Sequence, residues 1–251
     1  MPQMLGKRAA VHDPRTLKLR AYVTPDLGPI PEASDWAAKL GSTGPVFLNN
    51  KLGCCAISMV GNTRRGWAIN NGQTLAITDD QILTDYEKIA GYQPGNPASD
   101  QGCVMLDVLK AWRRDGLCGG KIGAFASVQP TDRHMASLGV HIFGGLLMGV
   151  QLPAAVQGNQ DEWKAPPPGN QFGEWAKGSW GGHAVVSPKY DPEWLYFWSW
   201  GKLMRMSWNF FASYSDETYV AVSADWTGPN FVAPNGLTIN QMLQDVGAIA
   251  H

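Results

Sequence analysis

Residues 49–60 read Asn-Asn-Lys-Leu-Gly-Cys-Cys-Ala-Ile-Ser-Met-Val, a turn-rich loop that runs straight into an apolar segment. From Cys55 onward, Ala56, Met59, Val60, Thr63 and Trp67 recur at the three-and-four spacing of a buried helical face. Arg64 and Arg65 are expected off that face, and Asn70-Asn71-Gly72 ends the run. Cys55 therefore stands in a first helical turn. There the partial positive charge and unsatisfied N–H groups favour thiolate over thiol. An imidazole brought nearby would deepen the effect through a thiolate–imidazolium pair. Without such a partner Cys55 is only a small buried hydrophobe.

Outward from this helix, Thr78-Asp79-Asp80-Gln81 has the form of a capping box opening a second helix that stops near Gly91. Val104, Val108, Ala111 and Trp112 give a third, ending at Asp115-Gly116. Past Gly120 the pattern changes. A strand is expected over 121–128, a helix over 131–143 and a buried strand over 146–152. After a long loop rich in Pro, Gly and Trp (157–182), strands follow at 183–186, 194–200 and 219–223. Thr238 to Gln241 resembles another capping box, opening a short helix through about residue 249. Helices gather early and strands late, which predicts an α+β fold with two lobes. The expected layout is an extended arm over 1–34, a domain over 35–226, and a tail with a short helix over 227–251.

With 251 residues the chain is long enough to bury a core without covalent staples. A formal net charge of −1 gives no global field for nucleic acid or an anionic membrane, so neither is expected as a partner. The opening MPQMLGKRAAVHDPRTLKLR has no apolar run of the secretory type, and a cytoplasmic location is expected, with association with a virus particle left open. Cys54, Cys55, Cys103 and Cys118 show no C-x-x-C spacing, so a structural metal site is not expected, and nucleophilic chemistry at a thiol such as Cys55 would need neither a metal nor an organic cofactor.

Several segments in order resemble the papain-like cysteine peptidases. SDWAAKLGSTGPVFLNNKLGCCAIS is similar to that family's opening, TDDQILTDY to its next short helix, and DQGCVMLDVLKAW to its Gly-Cys turn and following helix. FGGLLMGVQLP resembles its Gly-led central strand, GGHAVVSPKYD its His-bearing strand, and WSWGKLMRMSW its later Ser-Trp-Gly turn. About 130 residues separate Cys55 from His183, at the short end of the papain-type spacing. A narrower likeness is to little-characterised phage and bacterial papain-like proteins with a long N-terminal arm. The resemblance implies a helical lobe carrying the nucleophile and an antiparallel β lobe carrying the histidine.

Carried over residue by residue, the resemblance makes Cys55 the nucleophile and His183 the general base and acid. Asn49, six positions before Cys55, takes the place of the oxyanion-hole glutamine. Cys103 lies where the family often has a disulfide partner, yet both it and Cys54 are expected reduced. One departure stands out. The family's Asn-Ser-Trp-Gly becomes Trp198-Ser199-Trp200-Gly201, and an indole N–H cannot accept a hydrogen bond from an imidazole. Ser199 or a backbone carbonyl is then left to orient the ring, or the site is degenerate. Three functions follow: a thiol hydrolase acting on a peptide-like amide, a papain-like scaffold with a degenerate site acting as a binding or phage virion-associated structural protein, or a transferase of the same thiol chemistry. The sequence sets no oligomeric state.

Overall fold

The structure is a computed structural model describing residues 3–23, 29–159 and 161–228. The N-terminal segment is not extended throughout. Strand β1 (Leu17–Lys18) pairs in parallel with Ala126 and Ser127 at one end of the sheet, a 3-10 turn follows over Leu19–Tyr22, and β2 (Ser34–Asp35) pairs antiparallel with Lys189 and Tyr190. Three helices come next: α1 (Cys55–Asn70), α2 (Asp79–Ala90) and α3 (Met105–Arg114).

α2 begins where the sequence says it should. The Thr78 side chain accepts from the Gln81 amide, the Gln81 side chain accepts from the Thr78 amide, and Gly91 closes the helix at φ 70°. α1 differs from expectation. It is buried on almost every side, because it packs between α2, α3 and α6 (Ala224–Thr227) on some faces and the sheet on another. Arg64, expected off the buried face, is 4% exposed. Its Nε pairs with Asp225 at 2.6 Å and its Nη1 donates to the Cys118 carbonyl, so the buried charge is matched. Trp67 of α1 stacks on Trp112 of α3 with ring centroids 5.7 Å apart, which ties the two helices together.

The rest of the chain builds one sheet. In order come β3 (Ala124–Val128), α4 (Arg133–Phe143), β4 (Leu146–Leu152), β5 (Glu162–Trp163), β6 (Gly181–Tyr190), β7 (Trp194–Ser199) and β8 (Lys202–Ser207). Then follow α5 (Trp208–Tyr214), β9 (Ser215–Val222) and α6 (Ala224–Thr227). The strand order is β1-β3-β9-β4-β6-β7-β8-β5, mostly antiparallel, with β2 on β6. β8 and α5 fill a stretch for which the pattern gave only a turn. The helix expected over 238–249 lies outside the described residues.

Two features of the sheet prepare the site. β6 is long and central, paired with β4 on one side and β7 on the other, and it packs against α1. The β7–β8 hairpin turns on two residues, Trp200 at φ 46° and Gly201 at φ 78°. Both central positions of such a tight turn need positive φ, which glycine meets freely and tryptophan does not.

Candidate active site

Cys55 is the first residue of α1 and is 1% exposed. The loop before it is held in an unusual shape, with Phe47 at φ 52° and Leu48 at φ 61°. That turn presents the Phe47 carbonyl to the Ser58 hydroxyl at 2.9 Å, and so locks the loop onto the first turn of the helix. Burial raises the Cys55 thiol, and the backbone amides of Ala184, Gly6 and Ala56 oppose that shift. The four cysteines are all free and buried.

His183, 1% exposed, sits in β6 opposite Val150 of β4. Its ring stacks on Trp200, with centroids 4.3 Å apart and planes 10° apart, so the strained turn residue forms one wall of the imidazole site. His183 Nε2 and Ser199 Oγ share a hydrogen bond of 2.6 Å, while Nδ1 is buried without one. Ser199 therefore fills the orienting position. Trp198 does not, because adjacent residues of a strand point to opposite faces. The Trp198 indole instead lies 5.8 Å from the Arg65 guanidinium.

Asn49 is 3% exposed, and its Nδ2 donates to the carbonyls of Leu52 at 3.1 Å and Met4 at 3.2 Å. The Met4 carbonyl also accepts from the Trp200 indole at 3.2 Å. A carbonyl oxygen from the chain's own N-terminus is thus gripped by an amide and an indole N–H at the edge of the site. Sequence reasoning had no signal for the indole donor.

The segment bearing Met4 fills the cleft between α1 and β6. Gly6 and Lys7 donate from their amides to the Gly182 carbonyl at 3.2 and 3.0 Å. Arg8 N donates to Cys103 O at 2.8 Å, and Cys103 N donates to Gly6 O at 2.8 Å. The fit leaves no clearance: a Cβ on Gly6 would lie 1.7 Å from Gly53 O, and one on Gly102 would lie 1.9 Å from Gly6 O. A hollow of about 400 Å³ does exist, between Ala10–His12 and β9, but neither Cys55 nor His183 lines it. Under this cover burial pushes the Cys55 thiol up to about 11 and the His183 imidazole down to about 3. Both groups are neutral at ordinary pH.

Compared by sequence, the chain matches no protein-family model and no curated protein. Solved structures do match. Xylellain, a cysteine protease from Xylella fastidiosa, superposes with TM-score 0.66 at 15% identity, over 88% of this chain and 96% of that one. The fold is papain-like. Digestive procathepsin L2 from Tenebrio molitor gives TM-score 0.57 at 13% identity, over 87% and 77% of the two chains. The Carica candamarcensis cysteine protease CMS1MS2 gives 0.51 at 15%, over 77% and 99%. The α+β papain-like architecture expected from the segment order is what the chain adopts. Among the described residues no cluster of His, Cys, Asp or Glu could hold a metal ion, and no helix is long and apolar enough to cross a membrane.

Proposed function

We propose that this protein is a thiol hydrolase that cleaves a peptide-like amide bond and that rests with its N-terminal arm lying in its own cleft. The observation that carries the reading is the state of His183. Ser199 occupies Nε2 at 2.6 Å, which leaves Nδ1 as the ring nitrogen able to take a proton from Cys55. With Nε2–H donating to Ser199 Oγ, the neutral ring holds the tautomer a general base requires. Once the arm leaves, water reaches the pair, and the desolvation that keeps both groups neutral is relieved. Proton transfer then gives thiolate and imidazolium.

The Cys55 thiolate attacks the amide carbonyl carbon, and the developing oxyanion is met by Asn49 Nδ2 beside the helix N-terminus. The C–N bond breaks as His183 gives its proton to the departing amine. Water, deprotonated by His183, then breaks the thioester and restores both groups. Trp198 was the ground for reading the site as degenerate, and that ground is weakened by Ser199 standing against the ring.

The test is the rate of Cys55 alkylation by iodoacetamide against pH, read by peptide mass spectrometry. Three chains are compared: wild type, Gly6→Trp, whose arm cannot lie on Gly53, and Gly6→Trp with His183→Ala. The wild type should react slowly below alkaline pH. Gly6→Trp should react readily at mildly acidic pH, and His183→Ala should return its midpoint toward the free-thiol value of about 8.5. Superimposable curves for the two Gly6→Trp chains would remove the enzyme reading and favour a binding scaffold.

A further inference from the structure

The arm does more than cover the cleft, because one of its side chains is swallowed whole. Lys7 has a fully buried side chain, and its Nζ lies 2.8 Å from Asp216 Oδ2, 3.0 Å from Glu217 Oε1 and 3.1 Å from the Arg8 carbonyl. Successive strand residues ordinarily point to opposite faces. Here the β4–β9 pairing shifts register between Gly149 and Val150, with Asp216 as the extra residue, and both carboxylates converge on one nitrogen.

The carboxylates are themselves positioned. Asp216 Oδ2 accepts from Gln151 Nε2 at 2.8 Å, and Glu217 Oε2 accepts from the Tyr219 hydroxyl at 2.9 Å. The stem of the lysine passes over Gly149, where a Cβ would sit 2.2 Å from Lys7 Cε. Only a residue without a side chain leaves room for it. This is a pocket with a glycine floor, two carboxylates at its end and a scaffold behind each.

We propose that this pocket is a substrate subsite for a lysine side chain, held by Asp216 and Glu217 and adjacent to the peptide residue that lies over Cys55. The inference rests on the hydrolase reading above for its purpose, but its geometry is independent of chemistry at the sulfur. Gly6 and Lys7 both donate from their amides to the Gly182 carbonyl, beside His183, and Gly6 is among the backbone groups that act on the Cys55 thiol. When the arm departs, two largely buried carboxylates lose their cation, and an uncompensated buried charge is strongly unfavourable. A peptide that returns an ammonium group to the same place recovers that loss. A neutral or acidic side chain does not.

The test uses the full chain carrying Lys7→Ala and a fluorescent peptide of the arm sequence, Gln-Met-Leu-Gly-Lys-Arg. Two variant peptides replace the lysine by norleucine or glutamate, and binding is read by fluorescence anisotropy. Close charge pairs at interfaces couple strongly enough that the lysine peptide should bind at least about tenfold tighter than norleucine. That advantage should vanish when Asp216→Asn and Glu217→Gln are added. An arginine peptide binding equally well extends the subsite to basic side chains and supports the proposal. Equal affinity for lysine and norleucine, or no binding of any peptide, overturns it. If Lys7→Ala does not fold, Gly6→Trp frees the pocket by another route and should give the same ranking. Lysine-selective binding with an inert Cys55 would sink the hydrolase and leave the subsite, and a reactive Cys55 without selectivity would do the reverse.

Discussion

Ser199→Ala isolates the contact on which the reactivity of His183 depends. The hydroxyl lies 2.6 Å from Nε2 of a ring that is 1% exposed, and its loss leaves that nitrogen buried without its partner. An unsatisfied buried polar group costs about 1–3 kcal/mol, with charged groups toward the upper end. The penalty falls mainly on the imidazolium, which must donate from both nitrogens, and less on the neutral ring. At about 1.4 kcal/mol per pKa unit, the imidazolium should become roughly one to two units more acidic. The thiolate fraction of the pair then drops by about tenfold to a hundredfold at mildly acidic pH. The assay is iodoacetamide alkylation of Cys55 across the acidic and neutral range, in the Gly6→Trp chain with and without Ser199→Ala. Trp198→Phe is the control, and it should leave the curve in place because that indole faces Arg65. A Ser199→Ala curve overlying its parent, or a Trp198→Phe curve displaced as far, would refute the assignment of Ser199.

Asn49→Ala should reduce hydrolysis of a lysine-containing fluorogenic peptide by about 10²- to 10³-fold, the usual cost of one oxyanion donor. A rate within about threefold of the parent would take Asn49 out of the site. Acid should weaken the fold through His183, which burial holds down at about 3. The unfolded imidazole takes up its proton near pH 6.5 while the folded one stays neutral, so this stability is full above that range and lost as pH falls toward 3. Between pH 7 and pH 5 the loss is about 2 kcal/mol. Urea unfolding at the two pH values checks it, and His183→Gln should remove this share of the difference; an unchanged difference would contradict the burial argument.

Much of the frame was legible because local chemistry and tertiary context agree there. The Thr78–Gln81 box, Gly91 and the apolar spacing of α3 each specify their element without help from distant residues. Cys55 at a helix start and His183 in a strand could likewise be placed by pattern. Arg64 could not, since only Asp225, far along the chain, makes its burial tolerable. β8 was missed because its hairpin turns on Trp200, a residue type that no turn rule selects. Ser199 rather than Trp198 faces the imidazole by strand alternation, which aligning the two segments by letter overlooks. Asp216 and Glu217 carry no signal in the sequence, because a bulge that turns both inward leaves no mark in composition. The arm's course through the cleft was equally hidden, although Gly6, Gly53, Gly102 and Gly182 were all in view. Their role is mutual clearance, and clearance belongs to pairs of segments rather than to either one.

The arm is covalently part of the chain, so its grip on the cleft behaves as binding of a ligand that dilution cannot remove. A short tether supplies an effective concentration of about a millimolar. For a segment with micromolar intrinsic affinity, that occupancy stabilises the folded chain by about 4 kcal/mol. Any peptide entering the cleft must outcompete this internal ligand, so its apparent affinity is weakened by about a thousandfold. Latency and thermal stability are then one free energy observed in two ways. Changes that loosen the arm, such as Gly6→Trp, should raise the reactivity of Cys55 and lower the melting temperature together. A variant that hardened the molecule at the arm would do so by leaving Cys55 less reactive.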